Sequence, residues 1–464
     1  MVRVLIETPN NYKPERRYIA KVLLGEMLGL EWEWQAADRQ DVRLTVQAHA
    51  GELTLSDILF SNPTEYWLHP SSLPERPLMR WDARQLKFYI NLTDFVVPLI
   101  YGENKPIVEV EDKSIRLPID IFGSAFFMLT RYEEAVLPDR DEHDRFPAIA
   151  SLAYKEGFLE RPIVDEYIEI LWACMKRLWP ELVRSQRTYQ VCPSHDVDNP
   201  LGAVGKPWWK VIRSFAGDLI KRKDLDLACR RINAKILGNY DLDPYNTFDF
   251  IIDLYERYDL KSIFYFKTGF SNDRFDENYL LDTPFFQELM KIIHKNGHEI
   301  GLHPSYEAYK DADQLRIEFS LLLGLAEKLD IKQRKWSARQ HFLRWTNPLT
   351  WKNLEDIGLD YDSTLSFADH VGFRCGTCME FPVFNLKERR PINLRERPLI
   401  VMDTTLIDQR YMALSPRQIL ERFKRLSDVV RSYNGSLILL WHNSNLAQVW
   451  QKQLYVEIME ILAE

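Results

Sequence analysis

The amino-acid sequence predicts an α/β protein in two parts, a β/α barrel of about seven strands preceded by a smaller mixed α/β domain. Strand-like and helix-like segments alternate regularly after about residue 185 but not before it. Such alternation is typical of parallel strands joined by right-handed crossover helices. Acidic and histidine side chains also follow several of the later strand-like runs directly, at the end of the strands where the active face of a barrel lies.

The first part, residues 1–185, mixes strands and helices without a regular order. Runs rich in β-branched and aromatic residues predict strands at 2–7, 30–35, 42–47 and 95–101. Apolar residues at helical spacing predict helices at 16–28, 124–135 and 164–182. We therefore expect one mixed α/β domain here, and the pattern predicts no role for it.

The second part, residues 186–464, alternates more strictly and is expected to close as a barrel or nearly so. The predicted strands are 189–192, 262–268, 299–302, 336–339, 361–365, 399–404 and 436–441. The predicted helices are 248–258, 284–296, 314–329, 348–357, 416–433 and 450–462. Gly297 and Gly435 stand just past two helix ends, and Pro348 and Pro416 open two others, which is the usual punctuation of helices.

Composition excludes several classes of protein. The chain has 464 residues, 46% hydrophobic content, a net charge of -8 and a pI near 5.8, so it lacks the basic surface that nucleic-acid binding requires. The first residues do not resemble a secretory signal, and no apolar run reaches the length of a membrane span. Five cysteines in so long a chain agree with a reducing compartment, and we expect a cytoplasmic protein. The lone CxxC at 375–378 is expected to be incidental.

Three short segments hold residues suited to hydrolysis assisted by a metal. They are 194–198, with Asp196 and Asp198, 297–303, which ends in His303, and 439–443, which contains His442. Such hydrolysis needs metal ligands, a carboxylate base for water and an acid for the leaving group. Asp196 and Asp198 can divide two of these roles, one taking the proton of water and the other binding the metal.

These segments resemble the motifs of the polysaccharide deacetylase family, carbohydrate esterases with the NodB-homology domain. The acidic pair at 196 and 198, the Gly-His-Glu-Ile-Gly lead-in at 297–301, Arg339 in 337–342 and His442 after an apolar strand occur in the order of that family. The resemblance covers about residues 186–464 and implies a distorted (β/α) barrel. It further implies that Asp196 is the base, that Arg339 contacts it and that His442 is the acid. Residues 1–185 resemble an uncharacterised domain that precedes a branch of such deacetylases.

One position departs from the family pattern. The second metal-binding histidine should stand four residues after His303, where this chain has Glu307. His341 and His298 are the other candidates for the missing ligand. We favour Asp198, His303 and His341 as ligands of a divalent metal, with zinc the expected ion. Tyr306 and Trp441 are predicted to contact the substrate, and the acidic stretch 139–144 is expected to be a solvated loop.

A basic insertion near 206–240 interrupts the predicted barrel after its first strand. Within 206–231, Trp208, Ile212, Phe215 and Leu219 recur at helical spacing among several lysines and arginines. One interpretation is that this apolar stripe packs against the rim of the barrel. The other is that the segment lies on an anionic membrane or guides an anionic substrate, which would suit a lipid-linked or nucleotide-linked sugar precursor.

The sequence therefore predicts a metal-dependent deacetylase that removes an acetyl or other acyl group from an amino sugar or glycan precursor. The partner implied is a carbohydrate, with peripheral membrane contact through 206–231 and no nucleic acid. Two alternatives stay open: a hydrolase of a non-sugar amide or ureide, and a catalytically silent glycan-binding protein.

Overall fold

The first half of the chain is built around a six-stranded mixed sheet. The computed structural model describes residues 3–277 and 279–463. The strands of this half are β1 Arg3–Thr8, β2 Glu31–Ala36, β3 Val42–Val46, β4 Glu52–Leu55, β5 Met79–Asp82, β6 Val96–Leu99, β7 Glu109–Val110 and β8 Ser114–Leu117. The sheet order is β2-β1-β3-β4-β8-β7, while β5 and β6 pair separately. The alternating burial of β3 and β4 shows that one face of the sheet covers the core.

Five helices accompany these strands: α1 Lys13–Ala20, α2 Ile121–Leu129, α3 Tyr132–Val136, α4 Leu152–Lys155 and α5 Ile163–Leu178. Helix α1 continues as a π-helix over Lys21–Met27, close to the predicted helix 16–28. The single helix predicted at 124–135 is two helices, because Arg131 adopts a φ of 51° between them. Its guanidinium bonds Glu133 and Glu134 at 2.7 and 2.8 Å, so the break is held by buried ion pairs.

The second half forms a nine-stranded sheet rather than one of about seven strands. Its strands are β9 Gln190–Val197, β10 Ile263–Phe266, β11 Glu299–Leu302, β12 Ser337–Ala338, β13 Tyr361–Asp362, β14 Phe381–Asn385, β15 Arg390–Glu396, β16 Val401–Met402 and β17 Ser436–Leu440. The order is β14-β15-β13-β12-β11-β10-β9-β17-β16, and only β14 runs antiparallel to its neighbour. Pairing within the described residues is open between β14 and β16, so closure into a barrel stays a prediction.

The described residues of this half form nine helices: α6 Trp208–Ile220, α7 Leu225–Leu237, α8 Phe248–Arg257, α9 Pro284–Lys295, α10 Ala312–Lys328, α11 Leu349–Asp356, α12 Asp403–Ile407, α13 Pro416–Ser432 and α14 Val449–Ala463. Most connect successive parallel strands, as the sequence pattern predicts. The basic insertion is a pair of helices, α6 and α7, which pack against each other. None of the described helices combines the length and apolar content that a membrane crossing requires.

The two halves share one apolar core. A single cluster of buried side chains runs from Val4 in β1 to Leu462 in α14. Polar contacts add to it: the hydroxyl of Tyr18 donates to the carbonyl of Pro382 at 2.7 Å, and Arg374 pairs with buried Glu134. Because the first half packs against the second so closely, its loops can reach the ends of the strands of the nine-stranded sheet.

Candidate metal and catalytic centre

The residues singled out by the sequence meet at one end of the nine-stranded sheet. Asp196 lies near the end of β9 and Asp198 directly after it. His303 follows β11, Arg339 follows β12, and His442 lies two residues past β17. Strands β17, β9, β10, β11 and β12 are consecutive parallel neighbours, so their carboxyl ends open on the same side. The polar residues that follow these apolar strands therefore meet in one cleft.

Three of these side chains form a compact set of metal donors. The Nε2 of His303 lies 2.9 Å from the Oδ1 of Asp198, and the Nε2 of His341 lies 3.2 Å from the same oxygen. One donor atom from each of the three residues falls within 4.8 Å of the other two. Carboxylate oxygen and imidazole nitrogen in such a cluster are the ligands that zinc and similar divalent ions take in catalytic sites.

The Nδ1 of each imidazole is hydrogen-bonded in a way that leaves its Nε2 free to bind a metal. The Nδ1 of His303 lies 2.6 Å from the carbonyl oxygen of Arg339, which can only accept, so this nitrogen carries the proton. The Nδ1 of His341 lies 2.9 Å from a carboxylate oxygen of Asp276. With both Nδ1 atoms protonated, each Nε2 presents a lone pair toward Asp198. A cation bound here could accept both of these lone pairs together with one from the carboxylate of Asp198.

Asp276 completes this arrangement from the loop after β10. Its carboxylate accepts from the backbone N–H groups of Ser271, Asn272 and Tyr306 at 3.0 to 3.2 Å. The buried ammonium of Lys267 lies 3.2 Å away. The sequence analysis missed Asp276, since its neighbours along the chain form no recognisable motif.

Asp196 is held by Arg339 beside the donor set. The Nη1 of Arg339 lies 3.1 Å from the Oδ1 of Asp196 and donates to the hydroxyl of Ser194 at 2.7 Å. Its Nε and Nη2 donate to the carbonyl and hydroxyl of Ser363 at 2.9 Å. The guanidinium is fully buried, so it stays in one orientation. The second carboxylate oxygen of Asp196 lies 4.0 Å from the Nε2 of His303 and faces the cleft.

His442 stands on the other side of Asp198, supported by Asp403. The Nδ1 of His442 lies 2.7 Å from the Oδ1 of Asp403, and the backbone N–H of His442 donates to its Oδ2 at 2.7 Å. The side chain of Asn445 donates to the same carboxylate at 2.8 Å. The Nε2 of His442 points to the Oδ2 of Asp198 at 3.4 Å and is not part of the three-residue donor set. The sequence analysis did not identify Asp403 either.

The charges of the centre lower the pKa of its carboxylate Asp198 and raise the pKa values of its imidazoles His341 and His442. Burial alone would raise the pKa of Asp198, but His341 and His303 outweigh it and hold that pKa well below its usual range. Burial would lower the pKa of His341, and the Asp198 carboxylate raises it instead. Burial would lower the pKa of His442, but the carboxylates of Asp403 and Asp198 together outweigh it and raise that pKa well above its usual value. Each shift reports a close carboxylate–imidazole pair.

The other two candidates for the missing ligand lie outside the cluster. Glu307 is half exposed, and its carboxylate pairs with Arg344 at 3.0 Å. His298 is buried, and its Nδ1 accepts from the backbone N–H of Ser262 at 3.1 Å, while burial lowers its pKa to about 4. Both side chains are therefore engaged in local structure.

Both residues predicted to contact the substrate, Trp441 and Tyr306, are enclosed in the fold. The ring of Trp441, the first residue after β17, is fully buried and packs against Tyr455 of α14 with ring centroids 4.9 Å apart. Tyr306 is 5% exposed, stacked on Phe275 and covered by the guanidinium of Arg344 at 3.8 Å. Both rings support the centre from within the fold, and their contact with a substrate stays a prediction.

The acidic stretch 139–144 is only partly solvated: Asp139 and Glu142 are exposed, whereas other side chains of the loop pack inward. His143 is buried, with its Nδ1 2.8 Å from the hydroxyl of Tyr306, and Asp144 accepts from the hydroxyl of Tyr309 at 2.6 Å. Arg145 follows and donates to the carbonyl of Phe342 at 3.1 Å. This loop of the first half thus packs onto the rim of the centre, which the sequence pattern could not reveal.

A small cavity of about 140 Å³ opens above the centre. Asp196, Asp198, His303 and His442 form its floor, and its walls are Arg145, Phe342, Leu343, Met402, Thr404, Arg410 and Tyr411. Arg145 is neutralised by Asp141 at 2.7 Å, and Arg410 by Asp408 at 2.7 Å. The walls are therefore largely apolar or paired, while the floor carries the reactive groups.

Comparison with known proteins gives limited information on this chain. Residues 4–180 match a family model described as a family of unknown function, DUF7033, which spans most of the predicted first domain. No curated protein matches the chain. Among solved structures, a "putative polysaccharide deacetylase" from Mycobacterium smegmatis is 14% identical, with a TM-score of 0.40 over 60% of this chain and 85% of that one.

Two further solved structures are similar over the same extent. The allantoinase Puue is 12% identical, with a TM-score of 0.35 over 59% of this chain and 83% of that one. A polysaccharide deacetylase from Bacillus cereus is 10% identical, with a TM-score of 0.28 over 60% and 87%. At these values the likenesses decide neither fold nor activity, so the residues of the centre have to carry any functional conclusion.

Proposed function

We propose that this protein is a metal-dependent deacetylase that removes an acetyl or other acyl group from an amino sugar or a glycan precursor. One observation carries the proposal: the donor set of Asp198, His303 and His341 lies between an anchored carboxylate, Asp196, and an anchored imidazole, His442, in one cleft. Hydrolysis of an amide or ester needs these groups together.

Asp198, His303 and His341 would hold the metal, and zinc suits their donor atoms. A divalent ion bound there supplies Lewis-acid polarisation of an acyl carbonyl and makes water more acidic. The carbonyl of Arg339 and the carboxylate of Asp276 keep the two imidazoles in the tautomer that a ligand requires.

Asp196 would take the proton of the attacking water on its Oδ2. Its Oδ1 is occupied by Arg339 at 3.1 Å, which fixes the carboxylate plane and leaves the oxygen that faces the cleft for proton transfer. Ser194 and Ser363 act as positioning residues, since they hold the guanidinium.

His442 would deliver a proton to the departing amine or alcohol. Its Nδ1 is anchored on Asp403 at 2.7 Å, so the Nε2 faces the cleft from the end of a rigid strand. Asp403 stabilises the imidazolium and holds the ring in position, as an orienting carboxylate does for a catalytic histidine. Base and acid thus stand on opposite sides of Asp198.

The size of the cavity favours recognition of the acyl group. Pockets that enclose a whole drug-sized ligand usually measure about 300–1,000 Å³, whereas this cavity measures about 140 Å³. The apolar walls of Leu343 and Met402 suit a methyl group, with the rest of a larger substrate lying outside. The same size favours a second candidate function, hydrolysis of a small non-sugar amide or ureide that fits entirely inside.

Metal analysis and an acetate-release assay test the proposal. We expect near-stoichiometric zinc or another divalent ion after supplementation, and metal-dependent acetate release from N-acetylated amino sugars or their oligomers. Asp196→Asn, which is nearly isosteric, is the matched inactive control. Ring opening of small cyclic amides or ureides to the corresponding amino or ureido acid, with no acetate from any sugar, would favour the second candidate. Absence of both metal and hydrolysis, with sugar binding retained, would show a binding protein instead.

A further inference from the structure

Helix α6 exposes the face that a helix of a water-soluble domain normally buries. Trp208, Trp209, Ile212 and Ile220 are 51%, 62%, 56% and 75% exposed, although surface helices usually turn such residues to the core. The buried residues of α6 are Val211 and Asp218. One interpretation of the predicted stripe was packing against the rim of the barrel. Its members Trp208, Ile212 and Leu219 are exposed and only Phe215 is half-buried, so most of the stripe is not packed in this way.

The polar underside shows that this orientation is built in. The carboxylate of Asp218 pairs with Arg231 of α7 at 2.6 Å, and both side chains are almost completely buried. Arg231 also donates to the carbonyl of Gly202 at 2.9 Å. A rotation of α6 that buried its tryptophans would expose this ion pair and break its bonds. The apolar side chains are thus held outward by the fold.

Basic side chains surround the exposed apolar ones. Residues 206–240 contain nine basic and three acidic side chains, in a chain whose net charge is -8. Arg213, Lys221 and Lys223 are exposed, and no ion pair to them occurs among the described residues. Tryptophan beside lysine and arginine is typical of segments that lie at the interface of an anionic bilayer.

We propose that α6 and α7 form a docking surface for an anionic phospholipid bilayer. We call this surface, made of Trp208, Trp209, Ile212, Ile220, Arg213, Lys221 and Lys223, the α6 surface. Charge complementarity favours a bilayer over a second copy of the chain, because two such basic surfaces facing each other would repel. The indole rings would enter the headgroup region while the basic side chains contact lipid phosphates.

The α6 surface lies next to the catalytic centre. A groove of about 650 Å³ borders α6, lined at one end by Trp209, Arg213 and Lys221 and at the other by Asn199 and Ser444. Asn199 directly follows the metal donor Asp198, and Ser444 lies two residues past His442. Docking would therefore bring the cleft to a substrate held at the membrane, a step that rests on the proposed deacetylase function.

Vesicle co-sedimentation tests docking without any substrate. We expect the full chain to bind vesicles of phosphatidylglycerol and phosphatidylcholine, to bind pure phosphatidylcholine much less, and to be released by salt. Changing Arg213, Lys221 and Lys223 to Glu should weaken binding by roughly 100-fold or more, because each basic side chain near an anionic leaflet contributes about fivefold. Trp208→Ala with Trp209→Ala should also weaken it.

Matched controls separate docking from general effects of charge and hydrophobicity. Lys332, Lys424 and Arg417 changed to Glu alter the net charge equally on other surfaces and should leave binding unchanged. Tyr89→Ala with Trp450→Ala removes two exposed aromatic rings elsewhere and should also have no effect. All variants change exposed side chains, so unaltered thermal unfolding should show that they fold.

Several results would overturn the proposal. They are equal binding to both kinds of vesicle, unchanged binding by the α6 variants, or a wild-type dimer that the two tryptophan substitutions convert to a monomer. The last result would make the α6 surface an interface between copies.

An activity assay separates this proposal from the proposed function. The α6 variants should retain hydrolysis of a water-soluble N-acetylated sugar, because none of their residues lies in the catalytic machinery, and should lose it on the same sugar carried by a lipid in vesicles. Vesicle binding without hydrolysis of either substrate would refute the deacetylase function and leave docking standing. Hydrolysis of both substrates at unchanged rates by the α6 variants would refute a membrane-held substrate.

Discussion

Two buried histidines provide a sharp test of the metal site. His341 contributes to the three-residue donor set, whereas His298, equally a candidate from the sequence, lies outside it. Both side chains are at most 4% exposed. Replacing either residue by alanine removes one buried imidazole, so each variant is a matched control for the other.

The expected size of the effect follows from linkage. Zinc at 100 times its dissociation constant stabilises a folded protein by about 2.7 kcal/mol. Loss of a residue that only orients a ligand costs about 10–100-fold in metal affinity, so loss of the ligand His341 should cost about 100-fold or more. At the same zinc concentration the stabilisation should then fall to about 0.4 kcal/mol.

His298→Ala should act on stability alone. It leaves the buried backbone N–H of Ser262 without its acceptor, which costs about 1–3 kcal/mol with or without metal. The gain of about 2.7 kcal/mol from zinc should persist. Glu307→Gln serves as a second control, since its half-exposed carboxylate pairs with the buried Arg344 outside the donor set, and it should keep the full gain.

Urea denaturation with and without zinc measures these differences, and direct zinc titration checks the affinities. The site assignment is wrong if His341→Ala keeps the zinc-dependent gain and His298→Ala or Glu307→Gln loses it. Loss of the gain in all three variants would mean that the donor set depends on packing of the whole region and not on one ligand.

Three further predictions concern single carboxylates and the proposed acid. Asp198→Ala should lose metal and activity together, whereas Asp196→Asn should keep metal and lose about 100-fold or more in kcat; equal metal loss in both would reverse their roles. His442→Ala should keep metal and slow the reaction least for substrates with good leaving groups, so an equal loss for all leaving groups would argue against its role as acid. Burial raises the pKa of Asp165 to about 7, so the folded protein retains a proton that the unfolded chain releases above about pH 4. The wild type should therefore lose about 3 kcal/mol of stability between pH 4 and 7 relative to Asp165→Asn, at about 1.36 kcal/mol per pKa unit, and parallel pH profiles in urea denaturation would refute the shift.

Secondary structure and the location of the centre could largely be predicted from the sequence. Apolar runs that end in a single polar residue mark Asp198, His303, Arg339 and His442 as residues at strand ends, and parallel neighbours bring such ends together. The sequence pattern did not predict strands β14 and β15. Strand β15 alternates polar and apolar residues and contains a proline and arginines. No helix separates β15 from β14, so the alternation of strand and helix is broken there.

The partners that orient the centre depend on the tertiary structure. Asp276 meets His341 across 65 positions of the chain and Asp403 meets His442 across 39. No local spacing records such pairs, since each residue is placed by a different strand or loop. Arg145 reaches the rim of the cleft from the first half of the chain, which only the packing of one half on the other explains.

Exposure was also decided by the tertiary structure. Periodicity shows which side chains share one face of an element, but it does not show what covers that face. Trp441 follows an apolar run and is fully buried, whereas Trp208 and Trp209 belong to an equally apolar stripe and stand in solvent. The difference arises because neighbouring helices cover one face of β17, while the buried Asp218–Arg231 pair turns the apolar face of α6 outward.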